Sequence, residues 1–225
     1  IKAAQITIPT GGEFKLAANA AIEVETFEVN GGDIVLEDGN ITAENISLDA
    51  DSKLEIAGDA TIETEELNLG AGEMTLESAT IEAEVIELDT GGSMEISADA
   101  EIIVEDLSVG AGEISIGAAE LVATTVELED NGKITIDAAD AAVTIETLSL
   151  PAGAEVKFDS LSVLFLPWIN SSNHASTMKT IEQSRADMCM GHLEIAGFDM
   201  IKGMKNEHGY SKSIFSKFDS VFSGH

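Results

Sequence analysis

The sequence predicts an all-β protein: a triangular, parallel β-solenoid of about eight coils of ~20 residues, followed by a small mixed or helical C-terminal tail. Three observations carry this. One apolar motif returns along the chain at spacings that mostly alternate between 19 and 21 positions. A second, shorter apolar pair returns between its copies every 20 positions. The segments joining the two are short and rich in Gly, Asn and Asp.

The long motif is clearest in Ile22-Glu-Val24-Glu-Thr-Phe27-Glu-Val29, apolar at i, i+2, i+5 and i+7. It starts again at Ile41, Ile62, Ile81, Ile102, Leu121 and Val143, and Ile1, Ala3, Ile6 and Ile8 fit it at the head of the chain. On a helix these four positions scatter around the cylinder and make no apolar face. On an extended chain, i and i+2 share a side. The step to i+5 would reverse the pleat, so the chain must bend there to keep both pairs inward. The short motif adds a third inward pair: Phe14/Leu16, Ile34/Leu36, Leu54/Ile56, Met74/Leu76, Met94/Ile96, Ile114/Ile116 and Ile134/Ile136. Each coil therefore reads as three short strands around a triangular core.

The connecting segments are turn-like. Asn30-Gly-Gly-Asp33, Asp49-Ala-Asp-Ser-Lys53, Gly70-Ala-Gly-Glu73, Asp89-Thr-Gly-Gly-Ser93 and Glu129-Asp-Asn-Gly-Lys133 supply residues that tolerate positive φ. Coils stacked at roughly 4.8 Å each bury three such pairs. That contributes on the order of 10 kcal/mol gross per coil, before conformational entropy is charged. No coil can bury its own face, so stability resides in the stack. An antiparallel sandwich is the competing architecture, but hairpins have no reason to repeat one bend at one coil length.

Composition narrows the function classes. The 225 residues carry 42 Asp+Glu against 11 Lys+Arg, a formal charge of −31, with 44% apolar residues and a mean hydropathy of +0.13. That apolar content argues against wholesale disorder. Such an acidic surface repels phosphate backbones, which speaks against nucleic acid as a partner. No apolar run reaches the ~18 residues of a membrane helix, so no membrane span is expected. Cys189 is the only cysteine and leaves no internal disulfide framework. The chain opens on Ile1 rather than Met, as a processed product or a fragment does.

The charge is unevenly spread. Of the acidic residues, 36 lie in 1–160 against five of the basic ones, so that stretch carries the whole formal charge and the remainder is neutral. All four histidines, Cys189, Trp168, Tyr210 and five of seven methionines follow residue 166. The change in composition places a boundary near Pro167: a β-solenoid over 1–166 and a C-terminal cap or tail over 167–225, partly helical.

One outward column, just after the second apolar position, reads Glu25, Glu44, Glu65, Glu84, Glu105, Thr124, Glu146. At the inter-coil spacing, neighbouring carboxylates repel by about 1 kcal/mol in water. Two accounts stand. Solvation and salt screening carry the charge, on a face selected for solubility and against sideways aggregation. Alternatively, divalent cations bridge successive carboxylates, Ca²⁺ foremost because hard oxygen donors suit it; Glu25, Glu44, Glu65, Glu84, Glu105 and Glu146 are then the ligands. The turns do not match the glycine-rich nonapeptide calcium repeat, and no other cofactor is expected.

The neighbouring column Glu23, Thr42, Glu63, Glu82, Ile103, Val122, Thr144 is no threonine array, which excludes a flat ice-binding face. Ile103 and Val122 form a small apolar spot within it. Enzymes on such scaffolds build clefts from long loops, but here the connections run four to six residues. Residues 1–160 contain no His, Cys, Trp or Tyr, hence no nucleophile–base pair, and no phosphate-cradling motif. No catalytic residue is assigned, and the protein is expected not to be an enzyme.

In the tail, Leu161-Ser-Val163-Leu-Phe165-Leu166 continues the apolar register and, with Pro167 and Trp168, reads as a cap over the last open coil. Ser176 or Thr177 can cap a helix running to about Met190. Ile214, Phe215, Phe218, Val221 and Phe222 have helical spacing and read as a packing face. His174, His192, His208, His225 and Cys189 lie too far apart for a zinc site read from spacing. The Met-rich tail is also a candidate docking or polymerisation element.

The cadence Gly-Gly-Asp33-Ile34-Val-Leu36 followed by Gly39-Asn-Ile41-Thr-Ala43 resembles the β-solenoid repeats of large secreted bacterial adhesins of the filamentous-haemagglutinin type, over residues 1–166. That resemblance implies a right-handed parallel β-helix and an adhesive or stalk role at the cell surface or in a secreted fibre, without a cofactor, its sides or ends contacting a protein or surface partner or further copies of itself. Gly39-Asn-Ile41-Thr-Ala43-Glu-Asn-Ile46 also resembles the repeat of bactofilins. This second likeness implies an intracellular, cytoplasmic scaffold that assembles end to end into filaments. Neither family resembles the tail.

Overall fold

The computed structural model describes the chain except residues 130–131, 139, 152–153, 159–160, 198, 202–203, 207–208 and 224–225; at 155, 158, 199–201 and 204–205 it describes the backbone alone. The chain divides into two compact units, Ile1–Ser149 and Leu150–His225. This division falls at Ser149, whereas the change in composition lies near Pro167.

The first unit is a parallel β-solenoid. Long strands run over Lys2–Ile8, Ala21–Val29, Asn40–Leu48, Thr61–Asn68, Thr80–Leu88, Glu101–Val109, Glu120–Leu128 and Ala142–Ser149, stacked in that order in one sheet. Short strands over Glu13–Leu16, Asp33–Glu37, Lys53–Ala57, Glu73–Glu77, Ser93–Ser97, Glu113–Ile116 and Lys133–Ile136 stack in a second. Apart from one corner position on each long strand, strand residues pair with their counterparts one coil away. Ile22 faces Ile41, Ile41 faces Ile62 and Ile62 faces Ile81; on the short strands Ile34 faces Leu54 and Leu54 faces Met74.

Burial follows the motif. In Ala21–Val29 the side chains of Ile22, Val24, Phe27 and Val29 are buried, while Glu23 and Glu25 are exposed. Phe14 and Phe27, from adjacent coils, meet edge to face with ring centroids 5.6 Å apart at 78°, the geometry that aromatic quadrupoles favour. The first two predicted strands of each coil run as one, through a corner. Pairing is kept on both sides, Val24 with Ala43 and Thr26 with Asn45, and lapses only at Glu25. One skipped position turns the chain without ending the strand. In the coil 61–69 the inward position at this corner is Thr64, whose hydroxyl lies 3.2 Å from the Glu44 carbonyl oxygen and 3.1 Å from that of Glu66. A buried polar group is thereby satisfied where the backbone bends.

The turn before each short strand explains its composition. Gly12, Gly32, Ser52, Gly72, Gly92, Gly112 and Gly132 form one column. A Cβ on Gly32 would lie 2.8 Å from the Gly12 carbonyl oxygen, and one on Gly92 2.5 Å from that of Gly70. At these glycines the coils approach too closely for a side chain. The peptide groups of the column also link the coils, as where Asp33 N donates to Gly12 O at 2.9 Å and Ser93 N to Gly72 O at 3.0 Å.

The second unit has its own core of Leu164, Leu166, Ile169, Ile181, Ala186, Cys189, Leu193, Ile195, Phe215 and Phe218. Leu161–Leu166 does not extend a parallel coil: it pairs antiparallel with Glu155–Phe158, Phe158 facing Leu161. Only two residues separate these strands, far fewer than a parallel crossover requires. Met188–Gly191 then adds parallel to Leu161–Leu166, and Ser220–Ser223 adds parallel to Met188–Gly191.

The helix of this unit runs from His174 to Gln183, starting earlier and ending earlier than the sequence suggests. Asn173 takes the N-cap place while its side chain serves the preceding loop, accepting from Asn170 N at 2.8 Å and donating to Trp168 O at 3.0 Å. At the other end Ser184 is extended, with ψ 147°, and Met188 onward is claimed by the sheet. The segment expected to form a second helix is a 3₁₀ turn, Lys212–Phe215, followed by the strand Ser220–Ser223. Phe215 and Phe218 are buried as the spacing implies, because i, i+3 suits a 3₁₀ turn too. Phe222 is 53% exposed. No helix among the described residues is long and apolar enough to cross a membrane.

Candidate interaction surface

The corner residues Glu25, Glu44, Glu65, Glu84 and Glu105 are all exposed and occupy equivalent places in successive coils, and Glu146 is exposed in the last coil of the unit. Beside them the outward residues of the first arm pair Lys2 with Glu23, Glu23 with Thr42, Thr42 with Glu63, Glu63 with Glu82, Glu82 with Ile103, and Ile103 with Val122. The two columns flank a shallow open groove of about 1090 Å³. Ile103 is 39% exposed within it and Val122 half-buried. Lys2 lies 2.5 Å from Glu23 at one end.

Other acids of the solenoid have cationic partners. On the short strands Lys53 lies 3.7 Å from Glu73 and 3.9 Å from Glu55, Lys133 pairs with Glu113, and Lys15 lies 2.9 Å from Glu13. The hydrogen bond from Lys15 to Glu13, and the charge of that carboxylate, push the ammonium's pKa up. All these groups are well exposed, so each pair contributes little. The glutamates of the corner column have no lysine in their own column. Among the described residues no three His, Cys, Asp or Glu side chains converge on a common point.

In the second unit, His174 stacks obliquely on Tyr210, ring centroids 5.8 Å apart, and His192 meets Trp168 at 6.3 Å. His208 and His225 lie outside the described residues. Cys189 is buried in the core, and burial pushes its thiol up to about 11, which keeps it protonated and inert at neutral pH.

Two polar clasps in this unit have no motif to announce them. The Asp187 carboxylate accepts from Ser162 N and Ser162 Oγ, both at 2.8 Å, which hold its pKa below the usual range. The Asp187 N–H donates in turn to Ser162 O at 3.0 Å. Lys217 Nζ donates to the carbonyl oxygens of Ile181 at 2.9 Å, Glu182 at 3.0 Å and Ser184. A cation is thereby set on the exposed carbonyls of the helix C-terminus, where the macrodipole favours it.

No family model and no solved structure matches the chain. Over 70 residues it is 36% identical to Exonuclease subunit 1 of Enterobacteria phage T4. That stretch is 31% of this chain and 20% of the phage protein, so the chain spans about a fifth of the curated relative it matches.

Proposed function

We propose that this chain is a non-enzymatic structural and interaction protein. Its solenoid acts as a rigid, acidic rod of a bacterial cell-surface or secreted fibre. The observation that supports this best is the unbroken parallel register from Lys2 facing Glu23 to Glu127 facing Ser149, joined by turns too short to wall a cleft. Every coil repeats the same hydrogen-bonded geometry, which suits a spacer or a surface better than a reaction site. The alternative within this class is an intracellular scaffold that assembles end to end. Electron microscopy over a dilution and salt series separates the two: monodisperse rods support the stalk, and long filaments from purified protein support the scaffold.

The likeness to the phage exonuclease subunit favours a second reading, in which part of the chain belongs to a nucleic-acid-processing protein. Incubating the full chain with single- and double-stranded DNA in Mg²⁺ or Mn²⁺ tests it. Divalent-dependent cleavage would support the second reading, and intact DNA the first.

A further inference from the structure

Asn30 is followed by Gly31, the pair in which a backbone nitrogen most easily reaches a side-chain amide, since glycine puts no Cβ in the way. In that reaction Gly31 N loses its proton and bonds to Asn30 Cγ. The Cγ–Nδ2 bond breaks and ammonia leaves with the proton. Water then opens the five-membered imide at either carbonyl, giving Asp or isoaspartate. The reaction needs a free Gly31 nitrogen and a dipeptide able to swing its backbone toward the side chain.

The structure denies both. Gly31 N donates to Ser52 Oγ at 2.9 Å, and Ser52 Oγ donates to Val29 O at 2.7 Å. Ser52 is only 1% exposed, so water does not compete for this hydroxyl. Each remaining backbone group of the dipeptide is also held. Asn30 N donates to Ile8 O at 2.8 Å, Asn30 O accepts from Thr10 Oγ1 at 2.8 Å, and Gly31 O accepts from Gly11 N at 2.8 Å. Asn30 itself is exposed, so nothing shields its side chain from solvent. Ser52 occupies a column that is glycine at Gly12, Gly32, Gly72, Gly92, Gly112 and Gly132; at the places corresponding to Gly31, Gly11 N and Gly91 N donate instead to the backbone carbonyls of Gly31 and Ala111.

We propose that Asn30 is a latent deamidation site which the buried hydroxyl of Ser52 holds closed, so that this coil ages only when it opens. Isoaspartate at position 30 would insert a methylene into the backbone of a tight turn paired to the coils on both sides, and so would break the register with Ile8.

The test is isoaspartate quantified at Asn30 by peptide mapping of the full chain held at neutral pH. Wild type is compared with Ser52→Ala, which keeps the Cβ already accommodated there, and with Ser52→Gly, which restores the residue of the column. Circular dichroism confirms that each variant is folded, and urea-unfolded wild type gives the unguarded rate. Both folded variants should deamidate about tenfold faster than folded wild type, the factor expected for releasing one hydrogen bond. Equal rates in wild type and in whichever variants remain folded would overturn the proposal. So would a folded wild type that deamidates as fast as the unfolded chain.

Discussion

Gly92 sits against Gly70 one coil earlier so closely that a Cβ on Gly92 would lie 2.5 Å from the Gly70 carbonyl oxygen. Gly92 cannot retreat, because on its two sides Ser93 N donates to Gly72 O and Glu113 N to Gly92 O, at 3.0 Å each. Gly92→Ala should therefore cost about 1–3 kcal/mol, in the range of overpacking a tight site. Gly91→Ala is the control: its φ of +92° disfavours a side chain, but the nearest atom to a new Cβ is the Ala71 Cβ at 3.7 Å. That variant should lose about 1 kcal/mol from backbone strain alone. Urea unfolding of both variants checks the order, and a Gly92→Ala protein as stable as wild type would contradict the close stacking.

Truncation should cost most at mid-stack. Ile62 is 0% exposed between Ile41 and Ile81, so Ile62→Ala should lose about 2–5 kcal/mol through the cavity it leaves. Leu148, at the inward position of the last coil of the unit, is 43% exposed, and Leu148→Ala should lose less than about 1 kcal/mol. Thermal melts of the two variants measure the difference.

The corner column should behave as a line of unneutralised charge. Glu65→Gln and Glu84→Gln should leave stability unchanged or raise it by less than about 1 kcal/mol each, because like-charge repulsion in water is that weak. Added NaCl should raise the melting temperature of wild type more than that of the double variant. Ca²⁺ at matched ionic strength tests the bridging account. A rise in melting temperature beyond the NaCl effect, lost in the double variant, would support cation bridging, and no such rise would leave screening alone.

Asp187 makes the second unit sensitive to acid. Its folded pKa is lowered by the hydrogen bonds from Ser162, so its stabilisation is fully present above the unfolded value of about 3.9 and is lost as pH falls through the folded value. Asp187→Asn keeps the shape and one carbonyl acceptor but removes the charge. The variant should be less stable than wild type at pH 7, and the gap should narrow as pH falls below about 4, the unfolded value, and through the lowered folded one. Fluorescence of Trp168, the only tryptophan, reports the melt of that unit, and a gap independent of pH would contradict the role of the carboxylate.

The parts of the fold that a period controls were legible in the sequence. Ile22, Val24, Phe27 and Val29 could be assigned inward because seven further copies of the motif agree, and the glutamate column followed from the same count. The motif demands a bend between Val24 and Phe27 but does not say whether the strand ends there; Thr26 recovering its pair with Asn45 after one skipped position decides that it does not. Lys53 and Lys133 neutralise a different column from the one that holds Glu25 and Glu44, and this needs the register as well as the composition. The tail resisted for another reason. Met188–Gly191 and Ser220–Ser223 are strands by virtue of partners 25 to 32 residues away, while their local spacing suits a helix equally well. Clasps such as Ser162 with Asp187 join residues that no local pattern connects. Ser52 interrupts a column of glycines, but only the register shows that its hydroxyl meets Gly31 N.

The central claim is that residues about twenty positions apart lie directly above one another along one axis. Nitroxide pairs at the corner column measure it: Glu25 with Glu84, Glu25 with Glu105, and Glu25 with Thr124, compared by pulsed electron spin resonance. The stack predicts mean distances that lengthen by about 5 Å at each step, the strand spacing of a sheet. Distances that fail to grow evenly with the number of coils between the labels would contradict the parallel solenoid.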